Sequence, residues 1–239
     1  MRALHTRTSR KRMKFSWLSA TAAVAVGLTV VRVVAFTPIE AVQGPAQKIY
    51  YIHVPAAWVA FLAFFLVAIA SAVYLWLRDI RLDRFAESSA EVGVVFTTVV
   101  LTTGPLWGKP IWGTYWTWDA RLTSTLFLWF IYVGYIVLRG AVDDPSLRAR
   151  YSAVLGILGA FLIPFIHMSV YMFRTLHPMP ILGQPAALAR DTNPALPSEM
   201  RNTMLLALLS FTLLYAAFLS ARYKLATARG IAEAEVRDA

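Results

Sequence analysis

The stretch WGKPIWGTYWTWDAR, Trp107 to Arg121, gathers four of the chain's eight tryptophans into twelve residues: Trp107, Trp112, Trp116 and Trp118. Tyr115, two glycines, a proline and Asp119 accompany them. Gly108, Pro110 and Gly113 interrupt helical periodicity, and Thr114 to Trp118 has the aromatic and β-branched content of a short extended segment. The stretch 107–121 is therefore expected to be a loop. Asp119 followed by ARLTSTLFLWF has the form of an N-cap opening a helix, its carboxylate accepting from backbone N–H groups two or three residues on.

Indoles collect at the headgroup level of any membrane protein, and that accounts for one or two tryptophans. Four of them, among helix breakers and ending on an Asp, are better read as a platform for a large, flat, apolar ligand. Each indole offers roughly 150 to 250 Å² of buriable surface and a π face for offset stacking. A porphyrin has that shape.

Outward from this loop the chain is a series of apolar runs. Of 239 residues, 58% are hydrophobic and 15% charged, and the mean hydropathy is +0.57. Runs of about 20 apolar residues each suffice to cross a bilayer. They fall at about 15–36, 54–77, 88–106, 122–138, 151–170 and 202–223, predicting an all-α, polytopic membrane protein with six transmembrane helices. Arg32, near the far end of the first run, is expected to snorkel outward. That first run exceeds the usual signal-peptide core, so an uncleaved anchor is preferred to a signal peptide. Pro164 is expected to kink the fifth helix near its outer end. The domain reading is a basic tail at 1–14, a transmembrane domain at 15–223 with outer loops at 107–121 and 171–201, and a charged tail at 224–239.

The net charge of +10 is spread between the apolar runs and forms no single patch, which argues against nucleic acid. It sets orientation instead. Sixteen of the 23 Lys and Arg residues fall on one set of alternate connectors, and the positive-inside rule then places both termini in the cytosol. His53, the tryptophan loop and His177 all lie on the opposite, outer side. The absence of cysteine excludes disulfides, thiolate metal sites and a CxxCH haem-attachment motif within the chain.

Two histidines on separate outer segments, with an aromatic slab between them in sequence, suit axial ligation of an iron porphyrin by neutral imidazole. The plainer role for a histidine at a helix end is capping or an interfacial contact. His167, inside the fifth span, is assigned to packing and is the rival ligand.

These residues carry a family resemblance. WGTYWTWD, Trp112 to Asp119, matches the WGxxWxWD signature of haem-handling membrane proteins at every fixed position. The flanking WGKP and ARLTS, YIHVPAA around His53, and the P-x-x-x-x-S-V-x-x-x-x-T-L-H run from Pro164 to His177 resemble the CcmC family, the haem exporters of the cytochrome c maturation system. The resemblance covers about Lys48 to Tyr223. It departs from the family pattern at Met172 and Phe173, where relatives often carry paired tryptophans, and at Pro178, where they carry Gln.

The resemblance implies a haem site on the periplasmic face of the bacterial inner membrane, with His53 and His177 as axial ligands. It implies Trp112, Gly113, Trp116, Trp118 and Asp119 as the haem-facing motif. Trp107, Tyr115 and Arg121 complete the candidate binding residues, and Lys109, Arg121 and Arg174 are candidate propionate partners. The resemblance further implies haem b, iron protoporphyrin IX, as the cargo. It implies delivery to the periplasmic chaperone CcmE, with the ATP-binding cassette pair CcmA and CcmB and the small membrane protein CcmD as further partners.

The chain shows no paired nucleophile and base, no phosphate loop and no carboxylate cluster, so it is read as a holder and presenter of haem and not as an enzyme. Two rivals stand beside this reading. A b-type cytochrome of a quinone-linked redox complex requires further histidines within the spans, where only His167 is found. A passive scaffold leaves the clustering of Trp, Asp and outer histidines unexplained.

Overall fold

The computed structural model describes residues 16–177 and 197–237, which are built from helices. In order they are α1 (Trp17–Val31), α2 (Tyr50–Leu77), α3 (Ile80–Trp112), α4 (Ala120–Ala141), α5 (Pro145–Ala160), α6 (Leu162–Met172) and α7 (Ser198–Arg237). No strand occurs among the described residues. With α5 and α6 taken as one traverse, six helices are long and apolar enough to cross a membrane, so the chain is a multi-pass membrane protein.

Ser16, Asp79, Asp119 and Asp144 each accept a backbone N–H in the first turn of the helix they precede, satisfying donors that have no intrahelical partner. Two chain reversals depend on left-handed residues. Arg78, at φ 58°, ends α2, and Gly113, at φ 74°, ends α3. Gly113 sits where a side chain would strain the backbone.

The helices extend past the apolar runs. Only Arg78 and Asp79 separate α2 from α3, so the expected connector at 78–88 is mostly helix. At about 1.5 Å per residue, the 33 residues of α3 reach roughly 50 Å, well beyond a hydrocarbon core of about 30 Å. The expected loop at 107–121 is corrected accordingly. Residues 107–112 form the last turns of α3 despite Pro105 and Pro110, and the irregular segment is 113–119. At the other end of the chain, 224–237 continues α7 as helix. The fifth traverse breaks at Phe161, where Pro164 withdraws the N–H that the carbonyl of residue 160 would accept. Of the two expected segments at 1–14 and 171–201, residues 1–14 and 178–196 lie outside the described residues.

α2 and α3 pack along most of their length, with α5, α4 and α7 against them. The Phe64 and Tyr132 rings stack at 3.7 Å, and the Tyr132 hydroxyl donates to the Gly156 carbonyl at 2.8 Å. Ser89 donates to the Ala63 carbonyl and is 2.8 Å from the Tyr215 hydroxyl. Such polar links join apolar helices where lipid offers no hydrophobic drive for association. Near one end, Arg139 makes a forked pair with Asp83 at 2.7 and 2.9 Å and reaches Glu87 at 3.1 Å. At the opposite end, α1 loosens into a π-turn over Arg32–Phe36. Lys48 Nζ donates to the Val33 and Val34 carbonyls of that turn. Arg32 does not snorkel free: its Nε donates to Thr203 of α7 at 3.0 Å.

Candidate functional site

His53 lies one turn into α2 and is held against α3. Its Nδ1 is 2.9 Å from the Thr103 hydroxyl, its ring meets the edge of Trp107 at 5.8 Å, and a methyl group on Gly104 would sit 3.2 Å from its Cε1. His177 arrives from another direction, five residues beyond the end of α6. Its ring lies 5.4 Å from that of Trp112. Each histidine thus has one tryptophan from the last two turns of α3 as its aromatic neighbour. Because the helix persists to residue 112, Trp107 and Trp112 are fixed by a rigid element.

Both histidines line one cavity of about 500 Å³ between α2, α3, α4 and the segment after α6, within the usual size of small-molecule sites. Trp107, Trp112, Tyr115, Trp116 and Arg121 also line it. The other three expected residues do not. Gly113 turns the chain. Trp118 is 76% exposed and contributes only an edge contact to Trp116 at 5.7 Å. Asp119 is the cap of α4 and also accepts from Thr175 at 2.8 Å, while the Thr175 hydroxyl accepts from the His177 backbone N–H at 3.2 Å. Asp119 therefore acts on the site through the segment that carries His177.

Of the candidate propionate partners, only Arg121 lines the cavity. Lys109 donates to the Gly113 carbonyl at 3.0 Å and lies over the Tyr115 ring, finishing α3. Arg174 is exposed. His167 packs beside Tyr171 at 6.4 Å and is absent from the cavity lining. Sequence reasoning missed Gln43, which accepts from the Trp107 indole N–H at 3.1 Å. It also missed Tyr50, Ile111 and Leu176, which are among the further lining residues.

Four cavity-lining groups have buried polar atoms without a partner: Gln47 Oε1, His177 Nδ1, Trp116 Nε1 and Arg121 Nη1. Buried polar atoms are ordinarily satisfied, so the open donors of Trp116 and Arg121 in a largely apolar cavity describe the ligand they suit. It is mostly apolar and carries an anionic group. Burial, reinforced by the Arg121 guanidinium and opposed by the Asp119 carboxylate, lowers the His177 imidazole to about 4, which keeps it neutral and able to ligate. Among the described residues no group of three His, Cys, Asp or Glu side chains is placed to hold a metal ion. A bare ion needs about four ligands. Two imidazoles suit an iron whose equatorial positions a macrocycle already fills.

A family model described as Heme exporter protein C matches residues 4–237. Heme exporter protein C of Bradyrhizobium diazoefficiens is 40% identical over 199 residues, covering 83% of this chain and 73% of the relative. That of Haemophilus influenzae is 35% identical over 202 residues, 84% and 80% of the two chains. That of Rhodobacter capsulatus is 33% identical over 188 residues, covering 78% and 75%.

Proposed function

The chain belongs to the heme exporter protein C family, and from that premise we propose that it binds iron protoporphyrin IX as cargo and presents it to a periplasmic chaperone. A haem-handling role in cytochrome c biogenesis comes with the family. The finer reading assigns His53 and His177 as the two axial ligands, Trp107, Trp112, Tyr115 and Trp116 as apolar walls, and Arg121 with the Trp116 indole N–H as donors to a propionate. Gly113 and Asp119 shape the loop, and Trp118, being exposed, is available to a docking protein.

The observation that carries this reading is the cavity in which two histidines on separate elements meet buried, unpartnered donors. The distribution of basic residues supports cytosolic termini in the bacterial inner membrane and an outer, periplasmic site. The ligand is cargo, so the side chains bind, orient and release, and no bond-making step is assigned to them. The proposed partners are the chaperone CcmE, the ATP-binding cassette pair CcmA and CcmB, and CcmD.

The test is an absorption and electron paramagnetic resonance spectrum of the detergent-purified chain, with co-purification of tagged CcmE. A low-spin, two-imidazole haem that loses this signature in both His53→Ala and His177→Ala is the expected result. Loss in His167→Ala with retention in His177→Ala overturns the ligand assignment, and the absence of any Soret band overturns the haem reading.

A further inference from the structure

We propose that Thr103 is a positioning residue that fixes the tautomer of His53 and so makes His53 the anchored member of an unequal ligand pair. The proposal rests on the assignment of His53 as an iron ligand. Its geometry stands independently.

Thr103 Oγ1 lies 2.9 Å from His53 Nδ1 and donates to the Val99 carbonyl at 2.7 Å. A hydroxyl has one proton. With that proton committed to the helix backbone, the oxygen meets the imidazole as an acceptor, and Nδ1 carries the ring proton. The lone pair of the neutral ring is then on Nε2. Behind the ring, Gly104 admits Cε1 so closely that a Cβ would stand 3.2 Å away. In front, Trp107 holds an edge at 5.8 Å. The imidazole is thus fixed in protonation pattern and in plane by three features of α3.

Among the described residues His177 has no equivalent. Its Nδ1 is buried without a partner, and its tether to Thr175 runs through the backbone N–H, leaving the ring to be set by the Trp112 contact. A hydrogen bond from the distal nitrogen of a ligating histidine raises ligand basicity and fixes its orientation. His53 therefore ligates more strongly. An incoming ligand displaces His177 first, so release proceeds from the outer segment while the α2 imidazole still holds.

The test uses the full-length chain in detergent with three readouts. Isotope-edited NMR of ring-labelled histidine in the unliganded protein reports the His53 tautomer. The Nδ1–H form is expected, and the Nε2–H form overturns the proposal whether or not haem binds. In the haem-loaded protein, Thr103→Val removes the acceptor at nearly constant volume and Thr103→Ser keeps it. The Val variant should show a raised midpoint potential, because a less basic imidazole stabilises ferric iron less, and roughly 10- to 100-fold weaker retention against apomyoglobin. The Ser variant should resemble wild type. A Val variant that stays low-spin with unchanged potential and retention sinks the proposal, as does a Ser variant that behaves like Val. If Val fails to accumulate, the tautomer measurement on the wild type decides. A wild type that binds no haem defeats the ligand reading and leaves the tautomer result standing.

Discussion

The Asp119 carboxylate ties the aromatic segment to the histidine segment: Oδ1 accepts from the Leu122 backbone N–H at 2.9 Å while Oδ2 accepts from the Thr175 hydroxyl at 2.8 Å. Thr175 in turn holds the His177 N–H. The two roles separate by substitution. Asp119→Ala loses both, and the missing cap alone should cost about 0.5 to 2 kcal/mol. Asp119→Asn keeps the cap and an uncharged link. Thr175→Val keeps the cap and cuts the link, a charge-assisted bond of about 1.5 to 3 kcal/mol. Thermal unfolding should rank Ala as the least stable of the Asp119 variants, and haem content should fall in Thr175→Val with little change in α4. Full haem content in Thr175→Val would show the link to be idle.

Arg139 holds the far end of the bundle through Asp83 and Glu87, with the Arg139 and Asp83 side chains 8% and 6% exposed. Removing the cation leaves a carboxylate buried without its counter-charge. Arg139→Met should therefore destabilise by about 3 to 5 kcal/mol, and adding Asp83→Leu should recover much of the loss, since apolar replacement of a whole buried pair is often neutral. Chemical denaturation in detergent reads both. A single variant as stable as wild type would contradict the burial argument.

Six spans are legible in the sequence because each carries its own run of apolar residues, a local signal. The helix ends are not, because α3 and α7 continue beyond the hydrocarbon thickness on capping and propensity. Gly108 and Pro110 mislead, since long helices in membranes accommodate proline and glycine, whereas Gly113 stops α3 through its positive φ. In the site, residue chemistry marks His53, His177, Trp112 and Arg121. What orients them does not show. Thr103 lies 50 residues from His53 and Thr175 lies 56 from Asp119, and no periodicity announces contacts that only helix packing creates. For Trp118, a place in a tight motif says nothing of which side of the loop the ring occupies.

Trp112 and Trp118 should therefore behave differently. Trp112 lines the cavity and meets the His177 ring. Trp112→Ala should lose a ring contact of about 0.5 to 1.5 kcal/mol beyond lost area, with Phe restoring part of it. Trp118→Ala removes an exposed ring outside the cavity and should leave haem occupancy near wild type. Pyridine haemochrome assay of the purified variants tests the pair. If Trp118→Ala empties the protein of haem, the exposed ring closes over the ligand.

Acidification tests the burial of His177, whose imidazole is lowered from its usual 6.5 to about 4 by burial and the Arg121 charge, against the pull of Asp119. The sign follows from proton counting. Between about 6.5 and 4 the unfolded chain binds a proton on this residue that the folded chain refuses, so stability is full above 6.5 and declines as pH falls through that window. In the unliganded protein, wild type should lose stability from pH 6.5 to 4 more steeply than His177→Ala, measured by thermal unfolding. In the haem-loaded protein a ligating nitrogen competes with the proton, so the low-spin spectrum should survive at pH 5, where a solvated imidazole is mostly protonated. Arg121→Gln removes the second cause and should move the imidazole upward, so the low-spin band is lost at higher pH than in wild type. Loss of the band near pH 6.5 in wild type, unchanged in Arg121→Gln, would mean that His177 meets solvent and that the cavity is open on its side.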